Sequence, residues 1–139
     1  KDIAIENGDE VLKSINNTLK ICNVLSDDID FINAHGTATV YNDAMEAKAF
    51  DNLKFNNIPI NSLKGYFGHT LGAAGLIETA VNLQSMRSNL LLKCKGFQNQ
   101  NFERKLDILL ENKQVHVNTL LKTSSGFGGF NASVIIQKI

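Results

Sequence analysis

The 139-residue sequence predicts an α/β chain, a mixed β-sheet with helices packed on both faces. Three observations carry that prediction. Strand-like and helix-like segments alternate through the first two thirds. Glycine-bearing loops adjoin three of the predicted strands. The composition, 43% apolar and 20% charged, suits a globular chain of a size that buries a core.

Each element has its own reason. Val11, Leu12, Ile15, Leu19 and Leu25 recur at helical spacing, which predicts a helix over 8–24. Ser26, Asp27 and Asp28 read as a turn. Residues 29–34 read as a short, mostly apolar strand that delivers His35, Gly36 and Thr37 at its carboxyl end. A second helix runs from Asn42 or Asp43, either of which can cap it, to Leu53. Glu46 falls in or near its first turn, where a carboxylate suits the helix dipole. Asn56 and Asn57 turn the chain into a strand over 58–61, with the one proline, Pro59, near its start. Residues 62–69 form a loop into a third helix, from about 71 to 87, whose small residues favour close packing. Residues 90–92 read as a strand and 95–113 as a polar, irregular excursion. Strands follow over 115–117, 120–124 and 132–136, the last two flanking a glycine-rich turn at 125–130. No repeat or linker interrupts the pattern, so one domain over 1–139 is expected.

Composition excludes several functions. Lys+Arg and Asp+Glu both number 14, and this balance argues against nucleic acid as the main partner. No apolar run reaches the roughly 20 residues of a membrane span. Two cysteines make no disulfide framework, and a cytoplasmic setting is the default. The chain opens at Lys1 rather than Met, so a piece of a longer protein is expected.

The chemistry gathers in the loops. In α/β sheets, sites collect at the carboxyl ends of strands, and glycines there let backbone N–H groups approach a ligand. Residues 33–39 carry His35, and 64–75 carry Lys64 and His69, five positions apart. Histidine is the usual acid/base group near neutral pH. His116 sits in an alternating segment and reads as a plain sheet residue. His35, Asp43, Glu46 and His69 are suitable metal-ligand types, but none shows tight ligand spacing, so no metal is expected. Gly68, Gly72 and Gly75 fit neither a dinucleotide fingerprint nor a P-loop. Cys22 and Cys94 lie outside any glycine-rich strand-to-helix turn, which favours non-catalytic thiols.

Three blocks, in order, resemble the condensing enzymes, the β-ketoacyl-acyl-carrier-protein synthases of the thiolase-like superfamily. Residues 32–39 with Asp43 and Glu46 resemble the first histidine motif. Residues 64–75 resemble the second, and 124–131 the closing Gly-Phe-Gly-Gly-x-Asn motif. The match covers the C-terminal half of such an enzyme. The resemblance implies half of a five-layer α-β-α-β-α fold and a decarboxylative Claisen condensation in fatty-acid or polyketide synthesis. It implies that His35 and His69 are the decarboxylation histidines, with Lys64 supporting them and Glu46 the acid networked with it as a buried Lys–Glu pair. Thr37 and Thr39 match threonines that bind the phosphopantetheine arm. Phe127, flanked by Gly128, matches the gate of the acyl pocket. No cofactor is implied beyond the phosphopantetheine that arrives on an acyl carrier protein.

Implied partners are that carrier protein, the N-terminal half with its nucleophilic cysteine, and a second copy in a homodimer. The separated chain is then expected to be inactive and to expose helix faces meant for the other half. Ala38, Val40, Tyr66, Phe67, Ser125 and Phe130 depart from the family's usual residues and bear on acyl-chain specificity. The alternatives are a non-catalytic partner subunit like the chain-length factors, a thiolase-like enzyme that does not decarboxylate, and a plain structural domain. Retention of both histidines with Lys64 favours the active synthase.

Overall fold

A computed structural model of the chain describes residues 8–98 and 105–139. Part of the excursion expected over 95–113 lies outside those residues. A four-stranded mixed sheet organises the fold, in the order β2 (Ile60–Asn61), β1 (Phe31–Asn33), β5 (Thr119–Gly126), β6 (Phe130–Gln137). Strand β1 runs parallel to β2 and to β5, while β6 closes an antiparallel hairpin with β5. A separate pair, β3 (Leu90–Leu91) and β4 (Lys113–Gln114), lies beside it.

Helices cover both faces, as the sequence predicts. Helices α1 (Asp9–Cys22) and α2 (Val40–Asn52) bury Val11, Ile15, Leu19, Ala47 and Phe50 with Ile32 and Leu121. On the opposite face Met86 of α4 (Ala74–Ser88) packs with Phe31, Leu91, Val117 and Leu120. Neighbouring residues of β1 and β5 thus enter opposite cores, the period-two alternation of a strand buried on both sides. This explains why 29–34 reads as a mostly apolar segment.

Several boundaries differ from expectation. Helix α1 stops at a left-handed Asn23, φ 53°, so Leu25 falls outside it and is exposed. Helix α2 starts at Val40, and neither Asn42 nor Asp43 caps it. Asn42 donates to the Thr37 hydroxyl at 3.1 Å, and Asp43 accepts the Thr37 N–H at 3.2 Å. The predicted strand at 115–117 is absent: β4 pairs two residues earlier, and His116 lies exposed outside any strand. The loop at 62–69 contains a helical turn, α3 (Lys64–Phe67). No helix among the described residues is long and apolar enough to cross a membrane.

Candidate active site

The parallel strands β1 and β2 end side by side, and their carboxyl ends carry the two histidine loops. His35 leaves β1 and is only 5% exposed. Its peptide is held from two sides. Glu46 of α2 accepts the His35 N–H at 2.9 Å and the Gly36 N–H at 2.8 Å, while the Thr123 hydroxyl donates to the same carboxylate at 2.7 Å. On the other side the His35 carbonyl accepts from Lys64 Nζ at 2.6 Å. The Ser62 hydroxyl reaches the Gly36 carbonyl at 2.9 Å. Gly36 has φ 46°, and a Cβ there would stand 2.6 Å from the Ser62 Cβ, so glycine is required on both counts.

Lys64 stands at the start of α3 and uses all three of its protons. Besides the carbonyl, it donates to Glu78 Oε1 at 2.7 Å and faces His35 Nδ1 at 3.3 Å. The Lys–Glu pair implied by the resemblance therefore forms with Glu78 of α4, while Glu46 braces the backbone of the histidine loop instead. Glu78 was not singled out from sequence. Its signal was available: it is the one acidic residue between Asp51 and Glu103. A second unforeseen group completes the cluster. Lys122 of β5 places its ammonium 2.6 Å from Glu78 Oε2 and 2.7 Å from the Thr123 carbonyl.

His69 approaches from the second loop. Its ring meets that of His35 edge-on, with centroids 5.4 Å apart at 84°. It is exposed where His35 is buried. The hydrogen-bond partners assign the tautomers. An ammonium only donates, so His35 Nδ1 accepts and its neutral ring carries the proton on Nε2. The Leu71 N–H donates to His69 Nδ1 at 3.1 Å, which puts that ring's proton on Nε2 as well. Two Nε2–H donors thus belong to one site.

Burial pushes the His35 imidazole down from 6.5 to about 4, with Lys64 and then Lys122 adding to the effect and Glu78 opposing it. The unfolded chain therefore binds a proton here, between pH 6.5 and about 4, that the folded chain does not. The contribution is fully present above pH 6.5 and is lost as pH falls toward 4. Over that window it amounts to about 3 kcal/mol. Urea midpoints are expected to fall from pH 7 to pH 4.5, less steeply in a His35→Asn variant; equal slopes would contradict this assignment.

The remaining predicted residues lie around this centre. The Thr37 and Thr39 hydroxyls bond each other at 2.8 Å on the exposed rim. Phe127 is 96% exposed at the tip of the β5–β6 hairpin, beside Gly128 at φ 83°. Neither cysteine joins the histidines. Cys22 ends α1, which packs against β6 on the α1/α2 face of the sheet. Cys94 lines a cavity of about 80 Å³ with Asp43, Glu46 and Phe50. Burial and then Asp43 push its thiol up, although a Ser62 backbone bond opposes them. Among the described residues no three His, Cys, Asp or Glu side chains converge on a metal position.

A mixed sheet sandwiched by helices, with paired histidine loops at its strand ends, defines a thiolase-like α/β half. Residues 2–98 match the family described as beta-ketoacyl synthase, C-terminal domain, and the chain belongs to that family. It is 34% identical over 137 residues to 3-oxoacyl-[acyl-carrier-protein] synthase 2 of Rhizobium meliloti (strain 1021), covering 96% of this chain and 32% of that protein. The chain thus spans about a third of the length of the curated relatives it matches. One similar solved structure is a type II PKS acyl-carrier protein in complex with its ketosynthase bound to the hexaketide. There the TM-score is 0.91 at 28% identity, over 96% of this chain and 34% of that one. Another is a ketosynthase in complex with its chain length factor from Xenorhabdus doucetiae. It aligns with a TM-score of 0.79 at 29% identity, over 91% of this chain and 33% of that one.

Proposed function

We propose that this chain is the C-terminal domain of a 3-oxoacyl-acyl-carrier-protein synthase and supplies the decarboxylation half of its site. The observation that carries the reading is the pair of edge-on imidazoles, each with Nδ1 occupied by a donor and Nε2–H left to donate. Such donors suit an oxyanion. As malonyl on a carrier protein loses carbon dioxide, the electron pair of the breaking C–C bond moves into the thioester as an enolate. His35 and His69 hold the enolate oxygen. The α-carbon then attacks an acyl thioester on a cysteine outside this chain, and that cysteine leaves as thiolate. A neutral His35 donates a hydrogen bond without quenching the carbanion, and its position about 4 keeps it neutral at physiological pH. Lys64 and Glu46 fix the His35 loop. Thr37 and Thr39 receive the phosphopantetheine arm, and Phe127 gates the acyl pocket on a hinge formed by Gly128 and its neighbours.

The partners follow from the same reading. They are an acyl carrier protein, the N-terminal half that brings the nucleophile, and a second copy in a homodimer. Leu76 and Leu83, seven residues apart on one face of α4, are exposed and suit cover by the other half. The family match ends at residue 98, yet β5 and β6 complete the same sheet, which supports one domain over 1–139. Retention of both histidines beside Lys64 favours this over a non-catalytic chain-length-factor-like subunit.

Intact-mass spectrometry with acyl-carrier thioesters tests the division of labour. The 139-residue chain alone is expected to gain no acyl mass, and the complete protein to gain one acyl group outside it. Acylation of Cys22 or Cys94 would overturn the proposal. So would a complete protein that releases no carbon dioxide from malonyl-carrier protein.

A further inference from the structure

A lysine in the middle of a buried strand needs a reason. In β5, Leu121 and Thr123 point toward α2, where Thr123 meets Glu46. Leu120 and Lys122 point toward α4, where Lys122 meets Glu78. The Lys122 side chain is only 3% exposed, and so is that of Glu78. Burying an ammonium is costly unless it is paired, so an apolar residue at 122 would be the cheaper strand builder. The carboxylate explains the choice. Lys64 takes Glu78 Oε1 and Lys122 takes Oε2, so the carboxylate is gripped at both oxygens and cannot turn away from Lys64.

We propose that Lys122 is a positioning residue of the histidine site, which clamps Glu78 against Lys64 and sets a second positive charge beside His35. The inference rests on the reading of His35 as a neutral hydrogen-bond donor. The charged and titratable groups around His35 come from separate elements: Lys64 from α3, Lys122 from β5, Glu78 from α4 and His69 from the second loop act on its ring, while Glu46 from α2 holds its backbone N–H. Lys64, Lys122 and His69 disfavour the imidazolium, and Glu78 favours it. Lys122 thus acts twice, by geometry through Glu78 and by charge on His35.

Two measurements on the complete protein test this. The ¹³Cε shift of Lys122 in the unaltered protein reports its charge without any variant. An ammonium at pH 7 is expected, and a neutral amine overturns the proposal. In Lys122→Met, the His35 Cε1 titration is expected to move up from about 4 by the part that Lys122 contributes, with burial and Lys64 still lowering it, while Lys122→Arg holds it near the original value. The acid limb of malonyl decarboxylation should move with it, in kcat rather than KM. Burial and Lys64 still hold the variant's imidazole below 6.5, so the loss at pH 5.5 is expected to stay under the ~10-fold of a fully restored imidazole. A folded Lys122→Met with an unmoved His35 titration overturns the proposal. A moved titration in a protein that decarboxylates nothing upholds Lys122's role and removes the decarboxylation reading instead.

Discussion

Glu78→Gln is expected to lower folding stability by about 3–5 kcal/mol, the usual cost of removing one partner from a buried ionic cluster. The substitution keeps the volume and removes the charge. Lys64 and Lys122, with side chains 7% and 3% exposed, would then share the interior without the carboxylate that bridges them. Glu46 is no substitute, because its oxygens already hold two backbone amides and the Thr123 hydroxyl. For a domain of this size the loss corresponds to roughly 10 °C or more in Tm. Asp9→Asn, in the first turn of α1, serves as a surface control and should stay within about 0.5–1 kcal/mol. Chemical denaturation at pH 7 reads both. A loss below about 1 kcal/mol for Glu78→Gln would mean that one lysine is buried as the neutral amine, and the charge cluster described above would have to be abandoned.

His69→Ala is expected to slow malonyl-thioester decarboxylation in the complete protein by ~10²–10³-fold, the effect of deleting one donor to a developing oxyanion. The fold should barely notice. His69 is exposed, and among the described residues its hydrogen bond is the one its Nδ1 accepts from the Leu71 N–H, which water can satisfy. His35→Ala should slow the reaction at least as much and also destabilise the protein, because its ring is buried against Lys64. The contrast is diagnostic. Equal thermal stability with unequal chemistry places His69 at the reacting oxygen, whereas a stable His69→Ala protein with undiminished carbon dioxide release would remove it from the reaction. In the proposed reaction, loading of acyl groups on the nucleophile precedes decarboxylation, so it should survive in His69→Ala, which separates the two half-reactions.

Much of this site was legible in the residues themselves. Local signals placed His35 and His69 on loops at strand ends, because apolar runs and glycines are short-range features. The hairpin around Phe127 and Gly128 was legible for the same reason. Boundaries fared worse where long-range contacts won. Leu25 fits the helical period of α1, yet Asn23 turns the chain first. Val115 and Val117 alternate like a strand, yet the Leu91 and Leu90 partners lie opposite Lys113 and Gln114.

Periodicity and residues close together in the chain are enough for the fold class, the main helices and strands and the two histidine loops. Which carboxylate serves which cation is set by contacts between distant elements. Glu46 is 18 residues from Lys64 and Glu78 is 14, and neither spacing ranks above the other in a linear reading. The choice falls to the alternation of β5. Thr123 meets α2 and Lys122 meets α4, so the carboxylate of α2 braces backbone amides and that of α4 joins two buried ammonium groups. Pairing of charges across a sheet depends on which face each residue takes and which helix covers it, and no local pattern carries that information.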